Sequence, residues 1–291
     1  MGCKKAEPPI KVEKQIDNLK SMGLIIEDEE GAKIFLRDVS YFRFIKAFSL
    51  GLKPKNGNYD SAVTFDQIKS LYLFNSRFRQ LLFVQVEKVE VNLRCRLSEY
   101  FGCKYGNFGY YDPRNYADRV YHQKLLDDIE AEIVRNDKAP FIKNFMDNYE
   151  NGMIPLYALV ELFSFGTLSK FLKNMKNKDK KEFAKAYYGI GYTYLESWIE
   201  HIAYVRNICA HYGRIYNAKY PKTPALYVEY TNAGIGNNRA FASLICLKHL
   251  LPNNRQWKQF VDEIEMLIDK YPTVDINTMR FPENWKEVLT Q

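Results

Sequence analysis

The chain has 291 residues, of which 46% are hydrophobic and 26% charged, so it is long enough to bury a sizeable core and too ordinary to be wholly disordered. Its formal net charge of +7 is mildly basic, which is compatible with a polyanionic partner without requiring one. The five cysteines are scattered and form no CxxC pair, so the sequence supports neither a zinc site nor a disulfide framework.

The predicted setting of the protein is a reducing cytoplasm. The first residues (MGCKKAEPPIK) contain no apolar core of a signal peptide. No apolar run approaches the ~20 residues that a membrane-spanning helix needs. We therefore expect a soluble, cytoplasmic protein with no membrane contact, no bound metal and no cofactor.

The N-terminal region predicts three short helices, followed by a turn-rich linker. Apolar residues recur at helical spacing in segments that end at Gly23, near Asp38 and at Gly51. The linker KPKNGNYDS occupies residues 53–61 and is rich in turn formers. This pattern predicts an N-terminal helical appendage over residues 1–52 and a larger helical domain over residues 60–291.

The larger domain opens with the longest predicted helix, over about residues 64–101, whose basic edge includes Arg94 and Arg96. Further helices are predicted at about 118–135, 138–149, 239–250 and 254–270, with a long loop at 217–238. The segment that begins at Pro155 is apolar on nearly every face and is expected in the core. Strand-like alternation is scarce, so the predicted fold class is all-α.

Seven lysines lie between Lys170 and Lys185, among them Lys173 and Lys176. A solvated connector is the simpler interpretation of such a charge run. An RNA-contacting patch that includes Lys173 and Lys176 is the alternative.

One predicted helix, around residues 195–211, separates apolar from catalytic residue types. With Arg206 at 0° and about 100° per residue, one apolar stripe lies between about 260° and 340°. Its members are Leu195, Trp198, Ile202, Val205 and Cys209. Arg206, Asn207 and His211 lie in a polar arc between about 0° and 140°, and Arg214 joins that arc if the helix continues. Cys209 is therefore predicted to be a core residue rather than a nucleophile.

The polar arc contains groups that a metal-free RNA cleavage needs. An imidazole can remove the proton of a 2′-hydroxyl or protonate the leaving 5′-oxygen near neutral pH. A guanidinium can stabilise the charge of the phosphorane. Asn207 lies one turn before His211 and is positioned to hydrogen-bond its ring. Since one histidine cannot easily perform both proton transfers, a second copy in a homodimer would supply the missing group.

Spacing alone favours a structural role for Arg206 and His211 at a helix end capped by Gly213. A resemblance to a known family favours the catalytic role instead. The run Arg206-Asn207-Ile208-Cys209-Ala210-His211-Tyr212-Gly213-Arg214, followed by Asn217, resembles the signature of the Abi-like (AbiD/AbiF, abortive infection) family of the HEPN superfamily. The segments Glu90–Arg94, Ile154–Tyr157 and Glu161–Leu168 are also similar to the family's pattern. The resemblance covers most of the chain and is weakest after about residue 220.

The resemblance implies a HEPN-type helical bundle with additional N-terminal helices. It implies a metal-independent endoribonuclease that acts as a toxin-like effector in phage defence, with Arg206, Asn207 and His211 as catalytic residues. It also implies a composite site in a homodimer and restraint by a cognate antitoxin, for which a noncoding RNA is one candidate. RNA contacts are expected from basic residues outside that triad: Arg214, Arg94, Arg96, Lys173 and Lys176.

Two alternatives remain at this point. The protein can be a non-catalytic RNA-binding module of a defence or toxin–antitoxin complex, in which the basic residues hold a structured RNA. Alternatively, Tyr212 beside His211 can be a target for a partner nucleotidyltransferase, as is known among HEPN toxins.

Overall fold

The computed structural model describes residues 8–52, 57–60, 62–149, 152–252 and 254–291. No β-strand forms among these residues, and the predicted all-α class is confirmed. The α-helices are α1 (Val12–Ser21), α2 (Glu29–Val39), α3 (Phe65–Tyr105), α4 (Arg119–Arg135), α5 (Pro140–Asn148), α6 (Leu156–Leu159), α7 (Phe165–Asn174), α8 (Asn177–Tyr188), α9 (Tyr192–Ala210), α10 (Val228–Asn232), α11 (Ala240–Leu250), α12 (Arg255–Lys270) and α13 (Trp285–Thr290).

The chain divides into two compact units, Met1–Phe78 with Glu265–Ile276, and Arg79–Ile264 with Asn277–Gln291. These limits differ from the ranges 1–52 and 60–291 expected from the linker, which itself lies partly outside the described residues. In the first unit, α1 packs against α2, and edge-to-face aromatic rings fill the core. Those rings belong to Phe35, Phe44, Phe48, Phe65 and Tyr72.

The third predicted N-terminal helix, at 41–50, is a π-helical segment, Phe42–Lys46. Phe44 and Ile45 are its buried residues.

The segment that begins at Pro155 is interrupted and does not form one continuous helix. Short helical turns at Leu156–Leu159 and Val160–Leu162 are followed by a break, and α7 then starts because the Ser164 side chain accepts a hydrogen bond from the amide of Thr167.

In the second unit, α9 is a central element. It packs against α7, α8 and α11, which surround its apolar face. The loop after α9 is attached to it by side-chain hydrogen bonds: the Trp198 indole donates to the carbonyl of Ala225 at 2.6 Å, and the Ser197 hydroxyl accepts from the amide of Ala225 at 2.8 Å. No helix among the described residues is both long and apolar enough to cross a membrane.

Candidate active site

The apolar stripe predicted for α9 is confirmed. Leu195, Trp198, Ile202, Val205 and Cys209 are all buried. Burial raises the pKa of the Cys209 thiol to about 12, so that this sulfur stays protonated at neutral pH. Cys209 is therefore a core residue, as the helical phase indicated.

Helix α9 ends within the signature, at Ala210, with His211 as its C-cap. Its last carbonyls are closed by a Schellman motif, in which the amide of Gly213 donates to Ile208 at 2.7 Å and the amide of Tyr212 donates to Cys209 at 3.2 Å. Arg214 is expected in the polar arc only if the helix continues, and that condition is not met, because the helix stops four residues before it.

Two residues make this sharp ending possible. Tyr212 takes the left-handed position with φ of 56°, which glycine usually fills, and the guanidinium of Arg79 lies 5.4 Å from the centre of its ring. At Gly213, an added Cβ would lie 2.8 Å from Cγ2 of Ile208 and 3.1 Å from its carbonyl oxygen. Only glycine permits this close approach, so the motif's glycine has a steric explanation.

His211 differs from the other histidines in its surroundings. Its side chain is exposed and makes no hydrogen bond within the described part of the chain. The other three are buried or half-buried and hydrogen-bonded: His122 to the carbonyl of Tyr110, His201 to the carbonyl of Lys222 and the hydroxyl of Ser243, and His249 to the hydroxyl of Tyr230. The ring of His211 is therefore available to a substrate.

Asn207 is also exposed, but the expected hydrogen bond between its amide and the His211 ring does not form. The contact between the two residues is made by the backbone, where the amide of His211 donates to the carbonyl of Asn207 at 3.0 Å. His211 is the C-cap residue, with φ of −96° and ψ of 19°, so it closes the helix instead of continuing it.

Arg206 is held by a carboxylate that the sequence analysis did not single out. Its Nε lies 3.3 Å from Oε2 of Glu90, which is buried on α3. The other oxygen of Glu90 accepts from Arg94 at 3.2 Å, and Arg94 donates to the carbonyls of Val160 and Phe163, both at 2.9 Å. The terminal nitrogens of Arg206 make no hydrogen bond within the described residues. The planar pair of N–H donors at the end of its guanidinium, called the fork below, is therefore available to a ligand.

A signal for Glu90 is present in the sequence. Val86, Leu93 and Leu97 lie three, four or seven residues away from it and are buried, so Glu90 stands within the apolar stripe of α3. A carboxylate in such a stripe is rarely buried without a cationic partner. The partner could not be identified in advance, because Arg206 is 116 positions away.

The residues expected to contact RNA are not gathered in one place. Arg94 is only 15% exposed in its side chain and serves as an internal anchor, as described above. Arg214 donates to the carbonyls of Tyr216 and Asn217, and burial lowers its pKa. Arg96 lies 4.7 Å from the ring of Tyr188. Lys173 and Lys176 remain exposed, and Lys173 is ion-paired with Glu200 at 3.3 Å.

A cleft of about 790 Å³ opens on the predicted polar arc of α9. The side chains of α9 that line it include Glu200, Ala203 and Asn207, and α4 and α7 supply much of the opposite lining. Of the predicted site residues, the cleft thus brings Asn207 and Lys173 together. Among the described residues, no group of three or more His, Cys, Asp or Glu side chains is arranged to hold a metal ion.

Comparison with known families agrees with the signature. The family model described as Abi-like protein matches residues 34–217, which is well over half of the chain. The chain belongs to the Abi-like family. The matched region contains Glu90, Arg94 and the whole segment from Arg206 to Gly213, and membership connects the chain with abortive infection, a form of phage defence. No curated protein and no solved structure matches the chain.

Proposed function

We propose that this protein is a metal-independent HEPN endoribonuclease that acts as a toxin-like effector in abortive infection. The observation that supports the proposal best is the contrast between His211 and the other three histidines, because only His211 presents an exposed, unbonded ring in the described part of the chain. Arg206 precedes it on the same helix and keeps its terminal nitrogens open.

The proposed reaction uses these two groups in complementary ways. A neutral imidazole removes the proton of the 2′-hydroxyl, the resulting oxygen attacks phosphorus, and the 5′-oxygen leaves and is protonated. The Arg206 fork stabilises the charge that develops on the phosphorane oxygens. The products are a 2′,3′-cyclic phosphate and a free 5′-hydroxyl.

A single His211 cannot easily carry out both proton transfers in one step. We therefore propose that two protomers form a homodimer in which each supplies a His211, one as base and the other as acid. Such an enzyme requires restraint in the cell, and a cognate antitoxin, with a noncoding RNA as one candidate, would provide it. A composite site predicts that the cleavage rate per protomer falls when the protein is diluted below its dimer dissociation constant.

The test is cleavage of tRNA, ribosomal RNA and messenger RNA by the purified protein in EDTA, with the ends of the products sequenced. We expect 2′,3′-cyclic phosphate ends, and no cleavage when the nucleotide at the cut site is 2′-deoxy. His211→Ala should slow cleavage about 10²- to 10⁴-fold, the usual contribution of a general acid or base. Arg206→Lys, which keeps the charge but loses the fork, should slow it about 10²-fold.

Lys219→Ala is the matched control, since Lys219 is an exposed cation shortly after the signature, and this variant should cleave at the full rate. The competing function is RNA binding without chemistry, which the exposed lysines of α7 and α8 favour. Salt-dependent RNA binding that survives His211→Ala and Arg206→Ala, with all three RNA classes left intact by the wild type, would establish that function instead.

A further inference from the structure

The charged groups of the α9 cleft largely neutralise one another. Lys173 and Lys222 both pair with Glu200, at 3.3 and 2.7 Å, and Lys170 pairs with Asp128 at 3.2 Å. Glu196 accepts from the buried Lys180 at 2.8 Å. Most cations of the cleft therefore have carboxylate partners, and the cleft is not a simple anion site. Lys124 is the exception, because it lines the cleft, is exposed and forms no ion pair within the described residues.

Several of its neutral polar side chains, in contrast, form no hydrogen bond in the described part of the chain, whereas the amide of Asn174 is bonded to the backbone of Asp118. The hydroxyls of Tyr121, Ser169 and Tyr204 and the amide of Asn207 line the cleft and make no side-chain hydrogen bond within the described residues. They come from three helices, α4, α7 and α9. A set of neutral donors and acceptors that face one cavity is the usual composition of a site for a neutral polar ligand.

The cleft also offers aromatic surface and depth. Tyr121 is 64% exposed, so its ring is accessible to a ligand. Ala203 is buried on the face of α9 that lines the cleft, and no larger side chain fills the space there. The volume of about 790 Å³ lies within the usual range of small-molecule sites.

We propose that this cleft binds a nucleobase of the RNA substrate, an inference that rests on the proposed ribonuclease function. A base splayed out from single-stranded RNA is planar and uncharged, stacks on tyrosine rings, and presents an edge of donors and acceptors. Its phosphate would meet Lys124, the exposed lysine of the cleft lining that has no carboxylate partner among the described residues. Asn207 belongs both to the cleft lining and to the signature segment of α9, so a base bound there would give the cleavage its sequence preference.

The experiment measures binding of AMP, GMP, CMP and UMP separately to the full-length protein by protein-observed NMR titration, with ribose 5-phosphate as the base-free probe. We expect at least one nucleotide to bind more tightly than ribose 5-phosphate by about tenfold or more, the contribution of a stacked base. Ala203→Leu, which fills the cleft, should weaken the binding of that nucleotide by about tenfold or more. Tyr121→Ala changes only an exposed side chain and should weaken it severalfold without affecting folding.

Ala131→Leu, an exposed change on α4 outside the cleft lining, is the matched control and should leave binding unchanged. Equal affinity for ribose 5-phosphate and all four nucleotides, or nucleotide binding that neither cleft variant weakens, would overturn the inference. His211→Ala should bind the nucleotide normally. Nucleotide binding in the cleft together with intact RNA would contradict the ribonuclease proposal alone, and RNA cleavage without nucleotide binding would contradict the cleft inference alone.

Discussion

Arg206 and His211 are held in place by different means. Arg206 is fixed by side chains, through Glu90 and then Arg94 to the carbonyls of Val160 and Phe163. His211 is fixed by its backbone alone, at the end of α9. Because a guanidinium must present its planar fork in one orientation, while an imidazole must reach a proton, this difference suits the two proposed roles.

Glu90→Gln tests the positioning of Arg206. The substitution keeps the shape of the side chain but removes the charge that two guanidiniums share, so we expect a loss of about 1 to 3 kcal/mol in the free energy of unfolding. A displaced fork should lower kcat by up to about hundredfold while KM changes little. Steady-state kinetics on a cleaved RNA and urea unfolding measure the two effects separately.

Glu87→Gln is the matched control, because Glu87 is an exposed carboxylate on the same helix. It should alter neither kcat nor stability. The effects of Glu90→Gln and Arg206→Lys on kcat should be strongly non-additive in the double variant, since both act through one guanidinium. Additive effects would show that Glu90 supports the fold without positioning Arg206.

At the scale of elements, the end of α9 determines where His211 lies. Gly213→Ala should strain the Schellman turn, because the new Cβ would lie 2.8 Å from the side chain of Ile208. We expect the free energy of unfolding to fall by about 1 to 3 kcal/mol and cleavage to slow, since the backbone that carries His211 must shift.

Gly236→Ala provides the comparison, because no atom lies within 4 Å of the Cβ that it adds. Its stability should stay within about 0.5 kcal/mol of the wild type. Thermal unfolding of the two variants, together with their cleavage rates, distinguishes a specific steric requirement at Gly213 from a general intolerance of alanine in the loops.

The sequence predicted some elements well and others poorly, for physical reasons. Helices α3 and α9 have one apolar stripe each, so the period of 3.6 residues located them and identified the buried Cys209. The segment after Pro155 is apolar on nearly every face, and its periodicity could not reveal the break before α7 that the Ser164 cap imposes. The Glu90–Arg206 pair depends on tertiary packing, which no local pattern encodes.

At the scale of the molecule, acid should destabilise the fold through His201. Nδ1 of His201 donates to the carbonyl of Lys222, and Nε2 lies 2.9 Å from the hydroxyl of Ser243. Burial lowers the pKa of His201 from 6.5 to about 4. Between these values the unfolded chain binds one more proton, so the contribution to stability is complete above pH 6.5 and is lost as the pH falls towards 4.

For this one group, we expect the free energy of unfolding to fall by at most about 1.4 kcal/mol per pH unit in that window. His201→Gln should reduce the slope of the free energy of unfolding against pH, as measured by urea unfolding at several pH values. Ser243→Ala should keep it, because the buried imidazole remains. Burial also lowers the pKa of His249 to about 4, so His201→Gln leaves part of the acid sensitivity in place.

The distance along the chain between Glu90 and Arg206 has a consequence during synthesis. A ribosome that adds about 5 to 20 residues per second needs on the order of ten seconds to make the 116 residues that separate the two positions. Throughout that interval, the nascent chain carries the carboxylate anchor without the guanidinium that it orients. A polypeptide released early therefore lacks the reactive groups, and the proposed RNA-cutting activity arises only in chains translated past His211.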